Sequence, residues 1–391
     1  MIVRLPILLL LLISISALAQ PYQKLHRKAT VIDTHNDVLI AVMNGLLLDT
    51  DLRGKTHSDL ARFAEGGVDV QVFSVWSSEK YGMGKGFAYA NRQIDSLYAI
   101  AARNEDKMMI VTSPKELKKA VKQNKLGAMI GVEGGHMIED NLQYLDSLYK
   151  RGTRYLTLTW NNSTSWASSA ADEAAGTVPN AKKGLNSLGK TIVQRMNTLG
   201  MMVDLSHVGE QTFWDAIAIT QKPVLVSHSC VHALCAHPRN LTDEQIKAVG
   251  KNGGVIHLNF YSGFLDPGYP ERRAAFQARH KTEIDSLKAA NWTSDDIELH
   301  LHKKYPQEAD ALKPPLSLLI DHLDHIVSLI GVDGVGLGSD YDGIESAPKG
   351  LDDVTTFPLV TKALMERGYS KRDIKKILGG NFMRVFAANS N

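Results

Sequence analysis

His35 and Asp37 stand two residues apart at the end of the apolar run that begins at Val31. In an extended segment, residues i and i+2 point to the same side, so this pair can offer a nitrogen and an oxygen to one cation at the mouth of a strand. Alone, the spacing is a weak signal in a chain with 14 histidines, and a solvated loop reads the same way. Repetition strengthens it. Residues 128–133, 201–207, 223–228 and 334–340 are four further strand-like runs, and they end on Glu133, His207, His228 and Asp340. Each of those side chains can hold a metal or move a proton.

Such runs, separated by longer helical stretches, are what strands covered on both faces of a parallel sheet look like. Residues 68–76, 154–159 and 254–260 bring the number of strands to eight. Eight closes an α/β (β/α)8 TIM barrel, whose site lies at the C-terminal ends of the strands. Residues 86–103, 113–123, 141–149, 188–199 and 210–220 carry apolar positions at three- and four-residue spacing, as helices on the outside of a barrel do. A long helical insertion, roughly residues 262–315, separates the seventh and eighth strands, with charged helical runs at 271–290 and 294–305. It reads as a lid or pocket wall and not as an independent domain. The glycines at 82, 84 and 86 lack P-loop spacing, which predicts a mobile loop near the site.

Residues 1–19 read as a signal peptide: a basic start at Arg4, an apolar core, and Ala17-Leu18-Ala19 before the cut. That leaves one barrel domain over 20–391, exported to the periplasm or secreted, with no stable membrane anchor visible. A net charge of +2 with no basic stripe argues against nucleic acid as a partner. Two cysteines, Cys230 and Cys235, are too few for a disulfide scaffold and are read as free thiols. His257, inside a strand, is read as a packed barrel residue, and Asp342 as a turn residue before Gly343.

Six motifs taken in order carry a resemblance: His35-Asn36-Asp37, Glu133-Gly134-Gly135-His136, Asp204-Leu205-Ser206-His207, Ser227-His228-Ser229, His237-Pro238-Arg239-Asn240 and Gly338-Ser339-Asp340-Tyr341-Asp342-Gly343. Together they closely resemble the membrane (renal) dipeptidase family of zinc peptidases, within the amidohydrolase superfamily. The resemblance covers nearly all of the chain after the leader. It implies a metal-dependent barrel that hydrolyses dipeptides at a site with two zinc ions, and a homodimer as the expected assembly. Carried over by position, His35 and Asp37 hold one zinc, His207 and His228 the second, and Glu133 bridges them. Neutral imidazoles suit zinc, and a bridging carboxylate offsets charge between two close cations.

By the same resemblance Asp340 is the catalytic acid–base group and Arg239 grips the free carboxylate of the substrate, which a guanidinium fork does through two charge-assisted hydrogen bonds. One position departs from the family, which ends the fourth strand on Leu-Thr-His. Here Trp160 follows Leu158-Thr159, and its indole can only donate. Trp160 is expected to line the substrate pocket, with Asn161 or Asn162 as the donor to the oxyanion. Two other readings stay open on the residues alone: an amidohydrolase for another small amide, such as an N-acyl amino acid or lactam, and a catalytically impaired barrel that keeps its metal.

Overall fold

The computed structural model describes residues 20–78 and 81–390; the leader expected over 1–19 lies outside the described residues. Eight parallel strands pair in chain order: β1 (Ile32–Asn36), β2 (Val70–Trp76), β3 (Leu126–Glu133), β4 (Thr153–Thr157), β5 (Met202–Asp204), β6 (Leu225–Ser229), β7 (Val255–Leu258) and β8 (Val335–Leu337). The sheet closes on itself just past β8. There the N–H of Asp37 donates to the Tyr341 carbonyl at 2.9 Å and the N–H of Asp340 to the His35 carbonyl at 3.1 Å. The eight strands expected are therefore present and form the barrel.

Strand burial explains their composition. Every residue of β1, β3 and β6 is buried, so polar residues survive there only where a partner waits. At the N-terminal end of the barrel, Ile32, Val70, Tyr155 and Leu225 pack with Phe382 and Phe386 of the last helix, Asn381–Asn389. His257 is 2 % exposed and packs against Phe382, as its place inside a strand suggested.

Three features differ from the sequence reading. A ninth, three-residue strand, Met108–Ile110, pairs with the first half of β3, whose second half pairs with β4. So short a run has no periodicity to betray it. Second, several strands stop early: β5 ends at Asp204 and β8 at Leu337. His207 and Asp340 lie beyond, in left-handed backbone with φ of 65° and 62°. Period-two alternation would throw neighbouring side chains outward, so crowding them over one barrel mouth requires leaving the strand conformation. Third, the glycine-rich stretch at 82–86 leads into the helix Gly82–Arg103 through a kink, with non-helical backbone at Met83 and Gly84, and the Glu139 carboxylate accepts the N–H groups of Gly84 and Phe87 at 2.9 Å each. A carboxylate there satisfies helix-start donors, which is a structural use of the glycines.

Other helices match the spacing. Pro114–Lys122, Leu142–Lys150 and Ser187–Leu199 start on the side-chain caps Ser113, Asn141 and Asn186, and the last ends on Gly200 in left-handed backbone. In the insertion, the run expected at 271–290 breaks at His280 into Tyr269–Arg279 and Lys281–Ala289. With Ser294–Lys304 and Pro306–Leu312 it buries a small core of Tyr269, Phe276, Ile297, Leu301 and Leu312. The insertion is tied to the loop after β8, where the Tyr261 hydroxyl donates to Glu345 at 2.9 Å. Cys230 and Cys235 are buried free thiols. Among the described residues, no helix is long and apolar enough to cross a membrane.

Candidate metal centre

Glu133, the last residue of β3, divides the site between its two oxygens. Its Oε2 lies 3.3 Å from His35 Nε2, and its Oε1 lies 2.8 Å from His207 Nε2 and 3.4 Å from His228 Nε2. On the His35 side, Asp37 Oδ2 stands 3.4 Å from the same Nε2 and Asp340 Oδ1 3.9 Å. On the other side, the Nε2 atoms of His207 and His228 face each other at 3.0 Å. The five expected ligands and Asp340 therefore converge from five strand ends on one buried cluster.

Proton positions follow from the outer partners. The Tyr155 hydroxyl donates to the Thr34 carbonyl at 3.1 Å, so it must accept from His35 Nδ1 at 3.0 Å. Ser227 Oγ donates to Asp204 at 2.6 Å and accepts from His228 Nδ1 at 2.8 Å. Asn161 Oδ1 accepts from His207 Nδ1 at 3.0 Å. With every Nδ1 carrying its proton outward, all three Nε2 atoms aim a lone pair inward. Acceptors then face acceptors, an arrangement that needs positive charge among them. His35 Nε2 and Asp37 Oδ1 are buried without a hydrogen-bond partner. Two donors bound tetrahedrally at zinc-like lengths stand about 3.4 Å apart, close to most of the separations here. The residues fit a bound cation.

The local field agrees. Burial alone would raise Glu133, yet its carboxyl is held well below the usual carboxylate range once positive charge stands at the imidazole nitrogens of His35, His207 and His228 that face its oxygens. Burial, then the Arg239 guanidinium, lowers His207 to about 4. Burial raises Asp340, reinforced by the like charges of Asp37 and Glu133. Glycine permits that crowding: a Cβ at Gly343 would lie 2.3 Å from Asp37 Oδ2 and 2.8 Å from Asp340 Oδ1.

Arg239 is 7 % exposed, reaches Ser229 Oγ and the His228 carbonyl only at 3.4 Å each, and its Nε is without a partner. Burial pushes its guanidinium down to about 10. It lines, with His207, a cavity of about 300 Å³ bounded also by Glu173, Lys183, Glu210 and His232. A buried, under-bonded guanidinium at a cavity suits an anionic ligand group. Trp160 packs edge-on against Trp76 at 4.9 Å and lies 6.5 Å from the His207 ring, so it walls the cluster. The two asparagines after it differ: Asn161 turns its carbonyl onto His207, whereas the amide of Asn162 reaches the Ser163 carbonyl at 3.5 Å.

Several residues that shape the site escaped the sequence reading. Tyr155 looks like core in its strand, but its hydroxyl reaches His35 and its ring lies over Gly131, its register partner on β3, where a Cβ would sit 2.0 Å from the ring. Asp342 is structural, as expected: its carboxylate accepts the His57 N–H at 2.6 Å and the Ser58 hydroxyl at 2.5 Å. Asn259 donates to Asp340 Oδ2 at 2.7 Å. It places a polar side chain just after an apolar strand, the same signal that marked the expected ligands.

The chain is similar to known proteins in sequence and in fold. The chain is 31% identical over 369 residues to Dipeptidase 3 of Homo sapiens, covering 93% of this chain and 66% of that one. It is 31% identical over 367 residues to Dipeptidase 3 of Mus musculus, covering 93% and 65%. This chain thus spans just under two thirds of the length of those relatives. Among solved structures, a probable dipeptidase, PvdM, from Pseudomonas aeruginosa superposes with a TM-score of 0.75 at 23% identity, covering 94% of this chain and 97% of that one. A metallopeptidase from Rhodobacter sphaeroides, solved with a phosphinate mimic of L-Ala-D-Ala, superposes at 0.74 with 22% identity, covering 92% and 99%. At those identities the structures share the fold. The sequence profile of the membrane dipeptidase family matches residues 19–391, and the chain belongs to that family, peptidase family M19.

Proposed function

We propose that this chain is an exported zinc-dependent dipeptidase in which Glu133 bridges two zinc ions, His35 and Asp37 complete one site, and His207 and His228 complete the other. One observation carries the reading: the inward lone pairs of His207, His228 and Glu133 Oε1 meet within 2.8 to 3.4 Å, with both histidine Nδ1 protons committed elsewhere. Only positive charge makes that convergence favourable.

Two zinc ions so held would polarise the scissile carbonyl and make a water acidic enough to act near neutral pH. The protein's own groups do the rest. Asp340, beside His35 and anchored through Oδ2, takes a proton from the attacking water on Oδ1 and passes it to the leaving amine. Arg239 binds the substrate carboxylate, for which its buried fork lacks a strong protein partner. Trp76 and Trp160 exclude water on the His207 side. Support for dipeptides comes from the names of the relatives and from the dipeptide mimic in the Rhodobacter sphaeroides structure. Export rests on the leader read over residues 1–19, and a homodimer on the resemblance; N-terminal sequencing and light scattering of the secreted protein read both.

The test is metal analysis beside turnover of a dipeptide and its C-terminally amidated twin. Two zinc ions per chain, loss of activity with a chelator, and a strong preference for the free carboxylate are expected. One ion or none in an active preparation removes the two-zinc reading, and equal rates on both substrates favour a general small-amide hydrolase.

A further inference from the structure

The six residues from Asn259 to Phe264 touch both groups on which the proposed chemistry depends. At one end the Asn259 side chain is fully buried, its Nδ2 donates to Asp340 Oδ2 at 2.7 Å, and its Oδ1 accepts the Tyr261 N–H at 2.7 Å. Because the oxygen is committed to a backbone donor, the amide cannot turn over, and its N–H stays on Asp340. Asp340 itself sits in left-handed backbone past the end of β8, where its N–H fixes the backbone to His35 and leaves the side chain to be oriented by its own partners. Asn259 takes Oδ2 and leaves Oδ1, the oxygen nearer His35, free to exchange a proton.

At the other end the Phe264 ring lies under the Arg239 guanidinium, 5.4 Å from its centroid. The side-chain hydrogen bonds of Arg239 are both 3.4 Å long, and the aromatic face adds a further support for the guanidinium. The Phe264 carbonyl also accepts from Asn240, next to Arg239, at 2.8 Å. Between the two ends, Ser262 is stapled to Ser346 by its N–H at 2.9 Å and its hydroxyl at 2.8 Å. The segment is thus bound on one flank to the loop that carries Asp340 and on the other to the loop that carries Arg239.

We propose that Asn259 and Phe264 are positioning residues, the first for the proton carrier Asp340 and the second for the carboxylate reader Arg239, and that the short segment joining them holds those two groups in register. The inference rests on the roles proposed above for Asp340 and Arg239. It assigns the two residues to different kinetic parameters, which a merely structural role would not do.

The experiment uses the full zinc-loaded protein, with a dipeptide and its C-terminally amidated twin as probes. Asn259→Asp keeps the shape and the acceptor for Tyr261 but deletes the donor to Asp340 and faces it with like charge. It should lower kcat roughly 10- to 100-fold, part of what general acid–base help supplies, with KM within about twofold. Asn259→Ala should do the same, and zinc content and Tm identify a variant that fails to fold. Phe264→Ala should raise the dipeptide KM by roughly 3- to 30-fold with kcat nearly kept and the amidated twin little affected, and Phe264→Tyr should restore it. Unchanged constants in both Asn259→Asp and Phe264→Ala, or a shift of the same parameter in both, overturns the inference while leaving the dipeptidase reading intact. A wild-type protein that cuts no dipeptide overturns that reading and the inference with it.

Discussion

On the His35 side of the cluster, buried Asp33 accepts the N–H and the hydroxyl of Ser339 at 2.7 and 2.6 Å. On the His207 side, buried Asp204 accepts the N–H and the hydroxyl of Ser227 at 2.8 and 2.6 Å. In both places the carboxylate stands two or three residues before a histidine in sequence, and the serine immediately precedes a site residue, Asp340 or His228, at the end of the neighbouring strand or just past it. One staple between neighbouring strands therefore sets two functional side chains at once. The ends diverge. His35 is oriented by Tyr155 from inside the barrel and is surrounded by Asp37, Glu133 and Asp340, whereas His207 is oriented by exposed Asn161 and faces a second imidazole. In this shared frame the candidate ligands are placed by bonding between neighbouring strands, while the groups around each are supplied separately at the strand ends.

The largest expected effect separates Asp340 from the ligands on its own side. Asp340→Asn should keep both zinc ions and lose roughly 10²- to 10⁴-fold in kcat, since an amide holds the shape but cannot carry the proton. Zinc analysis with turnover of the same sample checks this; loss of one zinc with activity per bound metal unchanged would make Asp340 a ligand. Next come the staples. Asp33→Asn and Asp204→Asn should each weaken zinc binding about 10- to 100-fold, because the amide loses an acceptor for the serine and frees the neighbouring side chains. Titration against a competing chelator should show one weakened ion per variant. If either change loosens both ions equally, the halves act as a single unit.

The smallest effects compare the two orienting partners. Tyr155→Phe leaves His35 Nδ1–H buried with no acceptor and should cost about 1 to 3 kcal/mol of stability in the metal-free protein. Asn161→Ala exposes His207 Nδ1–H to water, which replaces the amide, so stability should hardly move and zinc affinity should fall less than in Tyr155→Phe. Urea melts of both variants read the contrast, and equal losses would remove the distinction between a buried and a solvated partner.

Much of the site was legible because each strand end carries its own signal: an apolar run that stops on His, Glu or Asp is read without knowing what lies beside it. Asn259 follows the same rule and could have been found by it. Tyr155 could not. In its strand it is one more large residue among apolar ones, and its role depends on a bare Gly131 beside it on β3 and on His35, 120 positions away in sequence and reached only once the barrel closes. The staples were half visible, since Asp204 belonged to a recognised motif while its bond to Ser227 was not. The glycines at 82–86 were legible as a break before a helix, but their partner Glu139 was not, since it lies beyond β3.

The sequence by itself determined the order of the eight barrel strands, the barrel they close, the family, and the side chains gathered at the barrel mouth, since periodicity and residue type are local and survive without contacts. Tertiary structure alone decided which nitrogen of each histidine faces inward, which oxygen of Glu133 serves which half, and which residues hold Asp340 and Arg239. Those depend on hydrogen bonds between strands distant in the chain, and a hydrogen bond constrains direction to a fraction of an ångström that no pattern of residue types records.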